Sequence, residues 1–326
     1  MVTQKTFKQT HNHLKDHIKE VINGTRRFEN VYQSLTRMIL GDPNNIEKKF
    51  VNGKNLYDYK VLRQGDKHIV GMFEEVNSFV SFVKDAAEGG SSSEMAFVLI
   101  GEPGNGKTFF VDYISKLYRN FIAQPENRRY TFRFKNMDKI GGYGKITEIE
   151  SQTYEDPMIL AMNLYENTED NVQFLKDMGA SQEQVDEYYQ NYRPLGACSY
   201  YILNQIIEHL NGDMEKLLDE YIDIVPVPVS ESRGTLTGKY AAKDKITSSS
   251  VDLIGDESVS RLLHITDPHN PYRFDLRRGA LARVAGGGIH FADEIFKNKR
   301  DLVQIYLGVI QNRSIEIEGF KWPLDT

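Results

Sequence analysis

Residues 95–108 leave this chain few choices. Met95-Ala-Phe-Val-Leu-Ile100 is an apolar run that enters the loop Gly101-Glu-Pro-Gly-Asn-Gly-Lys-Thr108, and an apolar-periodic stretch from Phe109 to Phe121 leaves it. Phe97 to Ile100 reads as a buried parallel strand. Phe110, Ile114, Leu117 and Phe121 recur at helical spacing. The loop between them fits G-x-x-x-x-G-K-[ST] at every position.

That spelling has a chemical reason. Gly101, Gly104 and Gly106 let the backbone turn sharply and approach an anion. The N–H groups of the loop and of the helix start then point at phosphate oxygens. Lys107 supplies a compact positive charge for the β and γ phosphates, and Thr108 a hydroxyl for Mg²⁺. Glu102, Pro103, Asn105 and Phe109 complete the candidate nucleotide-binding set by position.

Such a loop needs an acidic partner strand. The stretch Gly286-Gly-Gly-Ile-His-Phe-Ala-Asp293-Glu294 supplies one, with Ile289 to Ala292 as the strand and the acids at its C-terminal end. Ligands of parallel sheets bind at that end. Asp293 is expected to hold Mg²⁺ and Glu294 to act as general base toward water. His290 reads as a packed strand residue, and the three glycines as a tight turn. Arg277, Arg278 and Arg283 precede the strand; each reads either as a γ-phosphate contact or as a salt-bridged face.

Composition narrows the class. Of 326 residues, 40% are hydrophobic and 26% charged, as in an ordinary globular protein. The net charge of −6 makes no electrostatic case for nucleic acid or an anionic membrane. Cys198 is the single cysteine, so an intrachain disulfide is excluded and a reducing, cytoplasmic compartment is expected. The polar N-terminus does not read as a signal peptide, and no apolar run reaches membrane-span length.

The remaining elements follow from local signals. Residues 1–40 read as helical, with His11, His13 and His17 on a solvated face rather than as metal ligands. Residues 46–70 carry no clear pattern, and Gly71 to Ala87 reads as an amphipathic helix. Arg129 to Phe134 alternates like a strand, and Gly141-Gly-Tyr-Gly144 reads as a turn. Asp156-Pro157 starts a helix expected over Met158 to Leu175, and Ser181 with Gln184 forms a capping box for the next, over Ser181 to Tyr192. Tyr200 to Leu210 is helical, Tyr221 to Val229 an edge strand, and 230–260 an exposed loop region. Asp301 to Gln311 is a helix, and Ser314 to Phe320 a strand or hairpin arm.

The fold class expected is α/β. It is a P-loop NTPase, AAA+-like, with a parallel sheet and flanking helices. A mainly helical segment occupies 1–65, and the core 66–326 carries a large mixed insertion at about 125–275.

Taken together, these residues resemble an AAA+ ATPase, and more closely the N-terminal AAA+ region of the PrkA family of bacterial serine protein kinases. Four stretches carry the likeness: Gly71–Val76 with Ala86–Gly89; Cys198 through Asn211–Lys216; Leu236-Thr-Gly238; and Tyr272–Asp275 through Ala280–Arg283 to Glu294–Lys297. The likeness covers roughly residues 30 to 320. It implies ATP rather than GTP, with Mg²⁺, in a homo-oligomer or with a partner protein. Some members of the family carry a cysteine pair near this position; Cys198 stands alone, so no zinc is expected. The family's sensor strand, arginine finger, helical lid and kinase-bearing region are not matched by any stretch here. Three activities therefore stay open: an ATPase, a nucleotide-binding regulatory module with little turnover, and a protein-serine kinase.

Overall fold

The computed structural model describes residues 13–241, 250–257, 265, 270, 276–297, 300–317 and 319–326. His11 and the Tyr272–Asp275 stretch lie outside them. The protein is mixed α/β, and its described residues form two compact units. One draws on 1–26, 130–227 and 259–275, and the other on 27–129, 228–258 and 276–326.

The chain passes between the units. Helix α1 (Leu14–Ile22) belongs to the first. The second holds α2 (Val31–Leu40), β1 (Ile46–Val51), β2 (Lys54–Tyr59), α3 (Phe73–Ala87) and α4 (Lys107–Ile122). Next come β3 (Tyr130–Lys135), β4 (Glu148–Glu150), α5 (Pro157–Ala161), α6 (Thr168–Asp177), α7 (Gln182–Gln190), α8 (Ala197–His209) and β5 (Ile222–Pro226), all of the first. The second resumes with β6 (Thr237–Ala241), β7 (Gly255–Glu257), β8 (Leu276–Arg278), α9 (Ala280–Val284), β9 (Ile289–Asp293), α10 (Arg300–Asn312), β10 (Ser314–Ile317) and β11 (Phe320–Pro323). The expected insertion at 125–275 overlaps the first unit, but 228–258 group with the second, and the N-terminal helix groups with the first.

In the first unit β3 is central between β4 and β5, all antiparallel. β5 lies at the edge, where Pro226 is tolerated opposite Tyr130. Phe132 and Phe134 of β3 are buried, as are Met158, Ile202 and Ile206 of the same unit. Ser181 and Gln184 form the capping box of α7, and Asp156 caps α5 ahead of Pro157. A buried carboxylate is sealed here. Glu155, 3% exposed, accepts from Gly196 N–H at 2.7 Å and from the Ser151 and Ser199 hydroxyls at 2.7 and 2.5 Å. Three polar partners spread over a loop and α8 are thereby fixed, which is how a buried charge is tolerated.

His17 corrects the expectation of a solvated face. It is 2% exposed, and its ring packs edge-on against Tyr130. The Arg26 guanidinium donates to its Nδ1 at 2.7 Å, so the ring proton belongs on Nε2. Burial, and then the Arg26 charge, hold the imidazole down at about 3.

The second unit departs most from expectation. β6 and β9 form a parallel pair, in register Thr237↔Ile289 to Ala241↔Asp293. The other strand pairs among the described residues of this unit are antiparallel hairpins or short antiparallel ladders. Residues 96–100 are not a strand: Val98 is 54% and Ile100 89% exposed. Helix α4 forms as expected, but its buried stripe is Phe110, Tyr113, Ile114, Tyr118 and Ile122, and Leu117 and Phe121 stay half-buried. No helix among the described residues is long and apolar enough to cross a membrane.

Candidate functional site

The glycine loop meets α4 with the backbone its spelling demands. Gly104 and Gly106 have φ of +87° and +75°, which side-chain-bearing residues rarely adopt. Gly106 is the N-cap of α4 and Lys107 its first residue. The first intrahelical bond is Phe110 N–H to Gly106 C=O at 2.8 Å, so the N–H groups of Lys107, Thr108 and Phe109 have no intrahelical acceptor. These orphan donors and the helix dipole suit an anion, and the residues present fit a polyphosphate.

Lys107 Nζ donates to the carbonyls of Gly101 and Glu102 at 2.6 and 2.7 Å. The lysine folds over its own loop, where a phosphate would compete for it. Gly101, Pro103, Gly104, Asn105, Gly106, Lys107, Thr108 and Phe109 line a cavity of about 1020 Å³, and Asp293 and Glu294 line the same cavity. Glu102 is exposed and does not.

The acids stand where the strand ends. Asp293 is the last residue of β9 and pairs with Lys239 of β6 at 3.7 Å. Glu294 follows with φ of +50°, a left-handed conformation that costs a non-glycine residue about 1 kcal/mol. Its carboxylate pairs with Lys297 at 2.5 Å, and its carbonyl accepts from Lys297 N–H at 2.8 Å. An oxygen pair of this kind can take a hydrated divalent cation on one side and orient a water on the other.

His290 lines the cavity and hydrogen-bonds the Tyr306 hydroxyl of α10 at 2.8 Å. Burial pushes its imidazole down to about 4 and raises the Tyr306 phenol. His290 is therefore neutral at pH 7, and its Nδ1 has no hydrogen-bond partner among the described residues.

Two residues that periodicity alone did not single out hold the approach to β9. Tyr118 of α4, fully buried, donates to Gly287 C=O at 2.6 Å. Arg129 donates to the Tyr118 hydroxyl at 3.2 Å, to Asn30 C=O at 3.3 Å, and to Glu29 C=O. The glycines before β9 are thus more than a turn. A Cβ on Gly287 would lie 2.8 Å from the Arg129 guanidinium, and one on Gly288 2.6 Å from Leu236 C=O. The three-glycine run was the sequence signal for that close approach.

The arginines before β9 do not line the cavity. Arg283 is tied to the carbonyls of Arg278 and Arg233 at 3.0 and 3.2 Å, and Arg277 and Arg278 lie on β8. In the first unit, the Gly141–Gly144 stretch is a turn that buries Tyr143.

Comparison with known proteins adds no relative: no protein-family model, curated protein or solved structure matches the chain.

Proposed function

We propose that the chain binds Mg-ATP at residues 101–109 and hydrolyses it, as a P-loop module of the AAA+ kind similar to the N-terminal region of PrkA-family kinases. One observation carries the reading. A glycine loop with two left-handed glycines caps a 16-residue helix whose first donors are free, and it shares a cavity with two acids at the end of a parallel strand.

The roles follow from that geometry. The N–H groups of Gly104 to Phe109 bind phosphate oxygens, and Lys107 exchanges its two carbonyl partners for the β and γ phosphates. Thr108 and Asp293 would hold Mg²⁺, which would supply positive charge to offset that of the phosphates. Glu294 accepts the proton of the attacking water, which requires it to leave Lys297.

The Glu294–Lys297 pair also favours a second reading, in which nucleotide binds but turnover waits for that pair to open. Nucleotide affinity and Mg²⁺-dependent turnover of the wild type, Lys107→Ala and Glu294→Gln test both. Lys107→Ala is expected to weaken binding about 100-fold, the worth of two charge-assisted hydrogen bonds. Glu294→Gln is expected to bind normally and to lose turnover. A wild type no faster than Glu294→Gln selects the second reading. A wild type that binds no nucleotide rejects both.

A further inference from the structure

We propose that the outer edge of β1 in the β1–β2 hairpin binds an extended acidic peptide of a partner protein as a third strand. The edge would read an apolar residue and, two positions on, a carboxylate. The inference goes beyond nucleotide binding and does not depend on it.

The hairpin has one edge covered and one open. On β2, Asn77 of α3 takes both main-chain groups of Tyr57: it accepts from the N–H at 2.9 Å and donates to the C=O at 2.8 Å. Those groups therefore point away from β1, and Lys48↔Tyr57 is a pair that exchanges no ladder hydrogen bonds. The alternation of the ladder then turns the N–H and C=O groups of Lys48 and Phe50 outward, to the side of β1 away from β2. They meet no strand or other backbone there among the described residues. A two-stranded ribbon gains stability from a third strand, and an unpaired edge is the template for one.

The side chains say what that strand should carry. Lys48, Phe50, Asn55 and Tyr57 share one face of the hairpin. Phe50 is 74% exposed and Tyr57 42%. The other cations of the hairpin and its exit are engaged: Lys49 and Arg63 with Asp58, Lys60 with Glu47 at 2.7 Å, and Lys54 with Glu74 at 2.7 Å. Lys48 is exposed and has no ion pair among the described residues. Residues 46–63 hold four lysines and an arginine against two acids, in a chain whose net charge is −6. The ribbon is thus positive within a negative protein, and Lys48 is its uncommitted charge. A strand added antiparallel to β1 passes Phe50 first and Lys48 two residues later. An apolar side chain beside the ring and a carboxylate beside the ammonium are the favourable cross-strand pairs.

The same features disfavour the other occupants. Lysine on a free edge resists pairing with a like-charged strand, so two copies of β1 would repel each other and an acidic strand would not. A nucleic acid strand would find the two rings, but it would leave the row of main-chain donors and acceptors unanswered and meet cations already neutralised.

Residue-resolved hydrogen exchange on the 326-residue chain, without nucleotide, tests the proposal. The probe is a blocked, threonine-rich peptide of about eight residues with valine near its centre and glutamate two positions later. One control replaces that glutamate by lysine, and another carries N-methyl groups on alternate central amides. In the free chain the amides of Lys48 and Phe50 are expected to exchange as open backbone, and that of Lys49, which faces β2, more slowly. The acidic peptide at millimolar concentration is expected to slow Lys48 and Phe50 at least fivefold, and neither control to do so. Lys48→Glu should weaken binding of the acidic peptide about fivefold and bind the lysine peptide instead, and Phe50→Ser should weaken it about tenfold. Both positions are exposed, and unchanged thermal unfolding shows that the variants fold. The proposal is overturned if the two amides do not respond, if either control protects them equally, or if the lysine peptide does not gain on Lys48→Glu. It is also overturned if oligothymidylate protects them better than the peptide, which makes the partner a nucleic acid, or if they become protected as protein concentration and mass rise together, which makes it a second copy.

Discussion

Glu155 in the first unit and the 96–101 run in the second use opposite strategies toward polar groups. Glu155 is a buried charge with hydrogen-bond donors on both carboxylate oxygens, each supplied by the unit itself. The 96–101 run lies beside a large cavity with its N–H and C=O groups unpaired by other backbone among the described residues, and Lys107 reaches its last carbonyl. A region that has satisfied its own polar groups is built for stability. A region whose backbone donors and acceptors find no partner among the described residues gains less from its own packing. The contrast is one of stability: the first unit satisfies its buried polar groups internally, and the second leaves part of its backbone beside a cavity.

The largest expected effect is at Glu155. Glu155→Ala leaves Gly196 N–H and two buried hydroxyls without an acceptor, and the first unit should lose about 3–5 kcal/mol of stability. Denaturant titration followed by hydrogen exchange at β3 reads this; a loss below 1 kcal/mol would mean the site is wet and the contrast false.

His17 sharpens the same side. Its folded value of about 3 lies below the unfolded 6.5, so its contribution is complete above pH 6.5 and declines as the pH falls toward 3. Between pH 7 and 4.5 the first unit should lose about 2–3 kcal/mol from this residue alone. His17→Gln should flatten that part of the stability–pH curve. An unchanged slope in the variant would remove His17 from the account.

Tyr118→Phe removes one hydroxyl from the second unit's closed part. It leaves Gly287 C=O and one Arg129 donor unpaired, at an expected cost of about 1–2 kcal/mol. Thermal unfolding of the variant reads it, and no shift would mean the Arg129 link does not hold the entry to β9.

The smallest effect is expected on the open run itself. Ile100→Thr should change stability by less than about 0.5 kcal/mol, since the side chain is almost wholly exposed. A loss of 2 kcal/mol or more would show Ile100 packed, and would collapse the comparison from the other side.

Much of the fold was legible where the signal is local. The capping box at Ser181 and the Asp156-Pro157 start appear where expected. The helix from Gly71 to Ala87 and those around 200–210 and 301–311 appear within a few residues. Two misses had readable signals. A continuous helix over Met158 to Leu175 is broken, because Asn167 caps a fresh start at Thr168 and Asn171 bonds both backbone groups of Tyr165. The β1–β2 hairpin in 46–70 turns on Asn52-Gly53, both at positive φ, the pairing such tight turns favour.

The candidate site divides along the same line. Its loop, the start of α4 and the acidic end of β9 follow from residues within a few positions of one another, since glycine's φ range and a helix's orphan donors are local properties. Pairing is not local. The apolar run 96–100 looks like a buried strand because its side chains prefer one, yet whether it becomes one depends on a neighbour with a free edge at the right distance. The burial of His17, the Arg129–Tyr118–Gly287 link and the lysines that hold Asp293 and Glu294 also join residues far apart or around a turn. A sequence pattern states what each segment can bury or bond. Which partner it meets is set by the packing of the whole unit.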